Sequence, residues 1–258
     1  MQQPYARRGG PFAKVHAELV HEDEEWDTEA LPLEAYDPRQ RARGRKSFVL
    51  RALDEQRSLL AFSELLSEMA EAGAPIDVIG SLARVVRDEA RHVDLCGRVV
   101  ERLGGWPDDA PRAQWVRSDR RAPLRERILK TVVGSLCIGE TISVAMLAGV
   151  RAEATDPFVS RLLTRMLADE SFHSRFGWWW LESEAAAITD AERAMLQAWL
   201  PKVLASVEAS IRPQPSARAY VACPFGSMSP EARGQALDHV LERTILPGLE
   251  RAGLHLRS

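Results

Sequence analysis

Apolar residues recur along much of the chain at alternating steps of three and four, the spacing that places side chains on one face of an α-helix. Four such stripes occur between residues 47 and 186, and each predicts one helix of a bundle. They run over Phe48–Met69, Val78–Leu103, Leu129–Val150 and Val159–Trp180. The pattern therefore predicts an all-α fold built around four helices.

Gly and Pro residues divide these stripes from one another. The run Ala72-Gly73-Ala74-Pro75 ends the first predicted helix, and Gly104-Gly105 ends the second. Asp156-Pro157 is typical of an N-cap followed by proline at the first helical position of the fourth. Residues 104–123 are rich in Gly and Pro and too long for a tight turn, so a long crossover is expected between the second and third helices.

Three regions are predicted along the chain. Residues 1–46 carry several prolines and form an N-terminal arm with at most short helices, because the helical period begins near Ser47. Residues 47–186 form the four-helix bundle. Residues 187–258 form a C-terminal extension of two helices that pack on the bundle. A capping box at Thr189 opens the first of these helices, and Ser229-Pro230 opens the second, which Pro247 ends or kinks.

Composition excludes several classes of protein. The net charge of −3 argues against a general nucleic-acid binder. The longest apolar runs, such as Thr131–Gly139, are far shorter than the roughly 18 residues of a membrane helix. The N-terminal region lacks an apolar stretch of signal-peptide type, and the three cysteines show no C-x-x-C spacing. We therefore expect a cytoplasmic protein without membrane or nucleic-acid partners.

Two Glu-x-x-His pairs, Glu89 with His92 and Glu170 with His173, lie inside otherwise apolar stripes. Residues three apart share a helix face, so each pair is predicted to point into the bundle. A buried carboxylate without a partner costs several kcal/mol. A bound metal ion is the usual partner for such a cluster.

The other two stripes each contain one acid, Glu55 and Glu140. Folding the first hairpin about Gly73 brings Glu55 level with the first Glu-x-x-His pair, and folding the second about Asp156 brings Glu140 level with the other. Glu64 is the competing acid on the first helix. It shares a face with Arg57, Glu68 and Glu71, and this face is predicted to be solvated.

The set Glu, Glu-x-x-His, Glu, Glu-x-x-His at one height resembles the ferritin-like di-metal carboxylate superfamily, in its oxygenase or oxidase-type members, over about residues 47–186. The resemblance implies two iron ions, with a manganese and iron pair left open. It implies that Glu55 and Glu140 are terminal ligands, that His92 and His173 each bind one metal, and that Glu89 and Glu170 bridge.

Asp88 and Asp169 precede the two bridging glutamates. By the same resemblance, each would hydrogen-bond a ligand histidine of the opposite helix, and the alternative is a pair of surface aspartates. Cys96 occupies the position of the radical tyrosine in the small subunit of ribonucleotide reductase. It therefore argues against a stored tyrosyl radical, and it either lies beside the metals or is a small buried apolar residue. Gly139 and Ser143 provide either close helix packing or room for a substrate.

Several further residues are given structural roles. Trp178-Trp179-Trp180 are expected to pack, with a partner surface or an electron path as the alternative for Trp178 and Trp179. Arg91 and Arg175 are expected to be exposed or paired. The histidines outside the four stripes, at positions 16, 21, 239 and 255, are expected to be surface or structural groups.

Three functions are compared. The first is a di-iron oxidoreductase that uses O₂ to oxidise or oxygenate a small organic substrate, with electrons from an external reductase or ferredoxin. The second is a ferroxidase or iron-handling protein, and the third is a metal-free helical scaffold. The long terminal segments and the paired aspartates favour the first. The substrate and the reaction type (hydroxylation, N-oxygenation, desaturation or cleavage) stay open, as does a possible homodimer.

Overall fold

The protein is described by a computed structural model over residues 10–21, 25–110, 118–212 and 220–255. The predicted all-α fold is confirmed. The helices are α1 (Gly10–Val20), α2 (Pro38–Glu71), α3 (Ile76–Arg102), α4 (Leu124–Thr131), α5 (Glu140–Glu153), α6 (Pro157–Glu184), α7 (Asp190–Ile211), α8 (Pro230–Val240) and α9 (Leu246–Arg251), with short 3₁₀ turns at Thr28–Ala30 and Leu33–Ala35. Two π-helical segments, Val132–Gly139 and Leu241–Ile245, join α4 to α5 and α8 to α9.

The bundle consists of α2, α3, the continuous helix Leu124–Glu153 and α6. The hairpin between α2 and α3 turns at Gly73, whose φ of 72° lies in the left-handed region that glycine adopts without strain. Helix α2 begins at Pro38, earlier than the apolar period indicated near Ser47. Its first turns are polar and carry no stripe, and a capping box between Asp37 and Gln40 starts the helix instead.

The third bundle helix is not a regular α-helix along its whole length. The wider π-helical turns at Val132–Gly139 end immediately before Glu140. Thr141 Oγ1 donates to the carbonyl oxygen of Cys137 at 2.5 Å, a side-chain bond to the preceding turn that often accompanies a bend in a helix. π-Helical segments of this kind occur frequently at functional sites.

The helix Leu124–Glu153 corrects the expectation drawn from short apolar runs. By length and composition alone it could cross a membrane, although half of its most apolar window is buried within the protein. Such a helix is also typical of a protein core, and this one contacts α6 along the bundle.

Two hydrophobic clusters fill the interior, and a layer of charged side chains separates them. One cluster joins α2 and α3 near their hairpin to the C-terminal helices, through residues such as Phe62, Leu200 and Leu237. The other joins the opposite end of the bundle to the N-terminal segment, through Trp26 and Leu31. The terminal segments thus cover the two ends of the bundle, and the charged layer lies at its middle.

The predicted starts of the C-terminal helices agree with the structure. Thr189 and Glu192 form the capping box of α7, and Ser229 caps α8. Pro247 does not end the last helix, because the chain continues as α9 to Arg251. The π-helical turn that precedes this proline provides a wider path where a regular helix would clash with its ring.

Candidate metal centre

Six buried side chains meet in the charged layer, and they are the six that the sequence nominates. They form two overlapping groups, in each of which the potential ligand atoms lie within 4.8 Å of one another. Glu55, Glu89, His92 and Glu170 make one group; Glu89, Glu140, Glu170 and His173 make the other. Glu89 and Glu170 belong to both groups, so they stand between the two.

Both histidines direct Nδ1 at the carboxylates. The Nδ1 atom of His92 lies 3.4 Å from Glu55 Oε2 and 3.4 Å from Glu170 Oε1. The Nδ1 atom of His173 lies 3.0 Å from Glu89 Oε1 and 3.2 Å from Glu170 Oε2. Each histidine shares its helix face with a glutamate three residues earlier, which is why the Glu-x-x-His spacing produces this geometry.

The donor set fits a pair of metal ions. Within the described residues, the two carboxylate oxygens of Glu89 and the Nδ1 atom of His92 form no hydrogen bond of good geometry, despite the close contacts above, and both residues are fully buried. Buried polar atoms are almost always satisfied, so these call for a ligand that accepts their lone pairs. Four carboxylates would balance two divalent cations, and mixed oxygen and imidazole donors suit iron.

The outer nitrogens of the histidines face the two predicted aspartates. His92 Nε2 lies 3.2 Å from Asp169 Oδ2, and His173 Nε2 lies 3.6 Å from Asp88 Oδ2. Arg91, which is 2% exposed, donates from one nitrogen to Asp88 at 3.0 Å and to Asp169 at 2.8 Å. This buried arginine therefore connects the two aspartates that face the ligand histidines. Of the two alternatives for Arg91, exposed or paired, the structure shows that it is paired.

The electrostatics of this layer follow from its burial. Burial acts to raise the pKa of Asp88, but the interaction with His173 and the charge of Arg91 outweigh it and lower the pKa to about 2. Burial, with the neighbouring Glu170, raises the pKa of Glu89 to about 8 and that of Glu140 well above its usual range. The site without metal therefore retains protons that a cation would displace.

The two histidines are shifted in the direction of their charged form. Burial acts to lower the pKa of His92, yet its contacts with Asp169, Glu170 and Glu55 raise it well above the ordinary value. His173 behaves in the same way through Asp88, Glu170 and Glu89. In the absence of a metal cation, the protonated imidazoles therefore carry positive charge that partly compensates the negative charge of the surrounding carboxylates.

A cavity of about 690 Å³ reaches this centre from the side of α2 and α5. Three of the six nominated side chains line it, namely Glu55, Glu140 and Glu170. Gly139 and Ser143 also line it, as the sequence suggested. The C-terminal segment contributes part of the wall, including Met228. The volume lies in the range of sites for small organic ligands.

Other sequence predictions have different outcomes. Cys96 is buried, lies 4.0 Å from the Met166 sulfur, and is not among the residues that line the cavity. Glu64 lies outside both ligand groups and accepts a hydrogen bond from Ser118 at 3.1 Å. The prediction of a solvated face was wrong for Glu68, which is buried.

Glu68 accepts a hydrogen bond from Arg127 Nε at 2.7 Å. Its partner comes from another bundle helix, and the spacing along α2 gave no sign of it.

Sequence reasoning missed Arg51. It is half-buried and lines the cavity one helical turn before Glu55, and its charge acts on Asp54 without a salt bridge to another described residue. The sequence did contain a signal for it: Arg51 precedes the predicted ligand Glu55 by four residues, and residues four apart share a helix face. Arg57 also lines the cavity but is paired with Asp54.

The comparisons with known proteins bear on the region that holds most of this centre. The model of the P-aminobenzoate N-oxygenase AurF family matches residues 78–236. This range covers α3 to α6 with Glu89, His92, Glu140, Glu170 and His173, and it begins after Glu55. No curated protein and no solved structure shows a significant match to the chain.

The match covers more than half of the chain, and it favours the oxygenase hypothesis over the iron-handling and scaffold alternatives. It also agrees with the buried Glu and His groups that are able to hold a metal pair. The chain therefore belongs to the P-aminobenzoate N-oxygenase AurF family, di-iron oxygenases that use O₂ and act on a small organic substrate.

Proposed function

We propose that this protein N-oxygenates an amine that also carries an anionic group, at an iron pair held by the six side chains of the charged layer. Glu55 with His92 would hold one iron and Glu140 with His173 the other, while Glu89 and Glu170 would bridge. The observation that carries the assignment is the overlap of the two ligand groups at Glu89 and Glu170.

Asp88 and Asp169 would orient the ligand histidines. Each faces the Nε2 atom of one histidine, so that Nδ1 stays directed at the metal. Hydrogen bonding of the distal nitrogen fixes the tautomer and increases the basicity of the ligand. Arg91 keeps both aspartates ionised and in place through its two hydrogen bonds.

When bound, the iron pair supplies the reduction of O₂. The balanced reaction inserts one oxygen atom into an N–H bond of the amine to give a hydroxylamine. The second oxygen atom leaves as water, with two electrons and two protons provided from outside. An external one-electron donor, such as a ferredoxin with its reductase, is therefore part of the proposal.

Arg51 supports the choice of an anionic substrate. It lies in the cavity wall one turn from Glu55, and within the described residues Asp54, on which its charge also acts, forms its salt bridge with Arg57 instead. A guanidinium binds a carboxylate through two parallel hydrogen bonds, which fixes orientation as well as affinity. A substrate held there by its acid group would extend its amine along the cavity to Glu140 and Glu170.

A cytoplasmic location belongs to the same proposal. The three cysteines are all free and buried. Free thiols are typical of a reducing compartment.

The test is iron loading followed by turnover. Protein reconstituted with Fe(II) without oxygen should bind about two iron ions per chain. After reduction and exposure to ¹⁸O₂, it should convert p-aminobenzoate to labelled N-oxygenated products detected by mass spectrometry. Glu89→Ala should lose both iron and product, since Glu89 belongs to both ligand groups. Glu64→Ala is the matched control and should retain both; the reverse pattern would refute the ligand assignment.

The same assay tests the anionic group. Arg51→Met should raise KM for p-aminobenzoate by about tenfold or more and leave aniline unaffected, because a charged hydrogen bond contributes about 1.5–3 kcal/mol. Arg57→Met, in the same cavity wall but paired with Asp54, is the control. Equal effects of Arg51→Met on both substrates would count against this anchoring role.

A further inference from the structure

The outer surface where α3 and α6 meet combines arginine and aromatic side chains. On α6, Phe172, Arg175 and Trp179 follow one another at steps of three and four and so share one side of the helix. The Arg84 guanidinium of α3 lies 4.1 Å from the Phe172 ring centre, and that of Arg175 lies 6.0 Å from the Trp179 ring centre. We name Arg84, Phe172, Arg175 and Trp179 the arginine–aromatic face.

This face exposes an unusual amount of aromatic surface. Trp179 is 57% exposed, although tryptophan is highly buried on average. Its neighbours in sequence, Trp178 and Trp180, pack inward. Exposed tryptophan beside arginine is the composition that protein interfaces favour.

Ring contacts and hydrogen bonds connect the arginine–aromatic face to the metal centre. The Phe172 ring centre lies 6.3 Å from that of His173. Arg84 Nε donates to Asp88 at 3.4 Å, and Asp88 in turn faces His173. Beside Trp179, the Trp178 indole N–H donates to Thr141 Oγ1 at 3.0 Å, and Thr141 follows the proposed ligand Glu140 directly in the chain.

The face is separate from the substrate cavity. None of its four residues is among those that line the cavity, which is reached instead from α2, α5 and the start of α8. A protein bound on the face would therefore leave the cavity open to the substrate.

We propose that the arginine–aromatic face is the docking site of the external electron donor, a small acidic iron–sulfur protein of the ferredoxin type. This inference rests on the proposed function, which requires such a donor. Arg84 and Arg175 supply positive charge to meet an acidic surface, with Arg87 beside them; Glu182 is the exposed acid one turn beyond Trp179. Charge complementarity of this kind raises association rates between proteins.

The electron balance is simple. Each docking event oxidises one reduced iron–sulfur cluster and delivers one electron, and no covalent bond is formed or broken. Two events return the iron pair from its oxidised to its reduced form, which is the requirement for one N-oxygenation. The aromatic rings and the hydrogen bond from Trp178 would provide the path across the face.

The experiment uses a plant-type [2Fe–2S] ferredoxin, an acidic protein, as the probe donor. Its affinity for the full chain is measured by surface plasmon resonance, with the protein both metal-free and iron-loaded. The rate at which it reduces the iron-loaded protein is measured by stopped flow. Arg175→Glu and Trp179→Ala are compared with Lys202→Glu, which reverses an exposed charge on α7.

We expect Arg175→Glu to weaken ferredoxin binding and slow reduction by about tenfold or more at low salt, and Trp179→Ala to do so to a smaller extent. Lys202→Glu should match the unmodified protein. A wild-type protein that does not bind the ferredoxin, or an Arg175→Glu variant that behaves like Lys202→Glu, would overturn the proposal.

A chemical bypass separates this inference from the proposed function. Protein reduced by dithionite should oxidise p-aminobenzoate in a single turnover equally well with or without Arg175→Glu. If the chemically reduced wild-type protein forms no product, then the proposed function itself is wrong, whatever the ferredoxin measurements show.

Discussion

The metal centre has two sides that share the same ligands but differ in almost everything around them. On the cavity side, Glu55, Glu140 and Glu170 border about 690 Å³ of space, beside the small residues Gly139 and Ser143. On the histidine side, the two imidazoles are backed by buried Asp88 and Asp169, which Arg91 joins. The cavity side is therefore open to a ligand, and we call it the open side. The histidine side is filled by charged side chains, and we call it the closed side.

This difference indicates a division of roles. The ligand set is nearly symmetric, because each hairpin contributes one acid and one Glu-x-x-His pair. The surroundings break that symmetry, since the third bundle helix changes to a π-helix before Glu140, whereas α2 stays a regular α-helix around the matching acid Glu55. Substrate would meet the metals at their carboxylates, while the histidine side fixes geometry and faces the surface that we assign to the electron donor.

The largest expected effect comes from breaking the closed side. Arg91→Met removes the buried guanidinium and leaves Asp88 and Asp169 without their shared partner. We expect the free energy of unfolding to fall by about 3 kcal/mol or more, the usual cost of an uncompensated buried charge. Chemical denaturation provides the measurement.

The control for this change is Arg87→Met, because Arg87 also contacts Asp88 but from a partly exposed position. It should cost less than about 1 kcal/mol. Similar losses in the two variants would show that the closed side does not depend on the buried arginine.

A smaller effect is expected from filling the open side. Ser143→Leu places a larger apolar group in the cavity wall at a residue that belongs to neither ligand group. Turnover of p-aminobenzoate should fall by about a hundredfold, because a small misplacement of substrate is enough to lose that much rate. Bound iron, measured by elemental analysis, should stay at the wild-type level.

Ala148→Leu is the matched control on the same helix, at an exposed position outside the cavity. It should retain full turnover. If Ser143→Leu retained it too, the cavity would not be the route to the metals.

The smallest expected effect is the pH dependence of the stability of the metal-free protein. The pKa of Glu89 is raised to about 8, so the folded state keeps a proton that the unfolded state releases. The pKa values of Glu140, His92 and His173 are raised as well. All four groups bind more protons when folded, and their contributions to stability are therefore lost as pH rises.

The metal-free protein should accordingly have a Tm lower by several degrees at about pH 8 than at about pH 6. The lowered pKa of Asp88 does not affect this window, because its contribution is lost only in acid. Thermal unfolding with and without Fe(II) provides the comparison. Bound metal should reverse the trend, since cations compete with protons for these ligands; a metal-free Tm that rises with pH would contradict the argument.

The repeating stripes predicted the bundle because burial requires apolar residues at every third or fourth position. The same logic brought six polar residues together, since a charged side chain within such a stripe has no other direction to face. Arg91 and Arg127 illustrate the limit. Arg91 bonds to Asp169 of α6 as well as to Asp88 of its own helix, and Arg127 bonds to Glu68 of α2. The spacing along one helix does not show which side chains of different helices will meet.

The π-helical segment was also missed, for a related reason. Its residues keep an apolar pattern that fits an α-helix equally well, and the change of helical type depends on the packing of neighbours. The capping box at Asp37 was readable in the sequence but lay outside any apolar stripe. Local hydrogen bonding, rather than hydrophobic period, determined where that helix begins.

The charged layer between the two hydrophobic clusters has a consequence for how the protein matures. Each cluster packs one end of the bundle, but the middle consists of buried carboxylates and imidazoles, whose contribution to stability without metal depends on protons that a rise in pH removes. Before iron binds, a newly made chain would thus have two well-packed ends and a less stable middle. Bound iron would stabilise that middle last. Shortage of iron would then lower the amount of intact protein in a cell, through proteolysis at the opened middle, before it lowered the rate of any reaction.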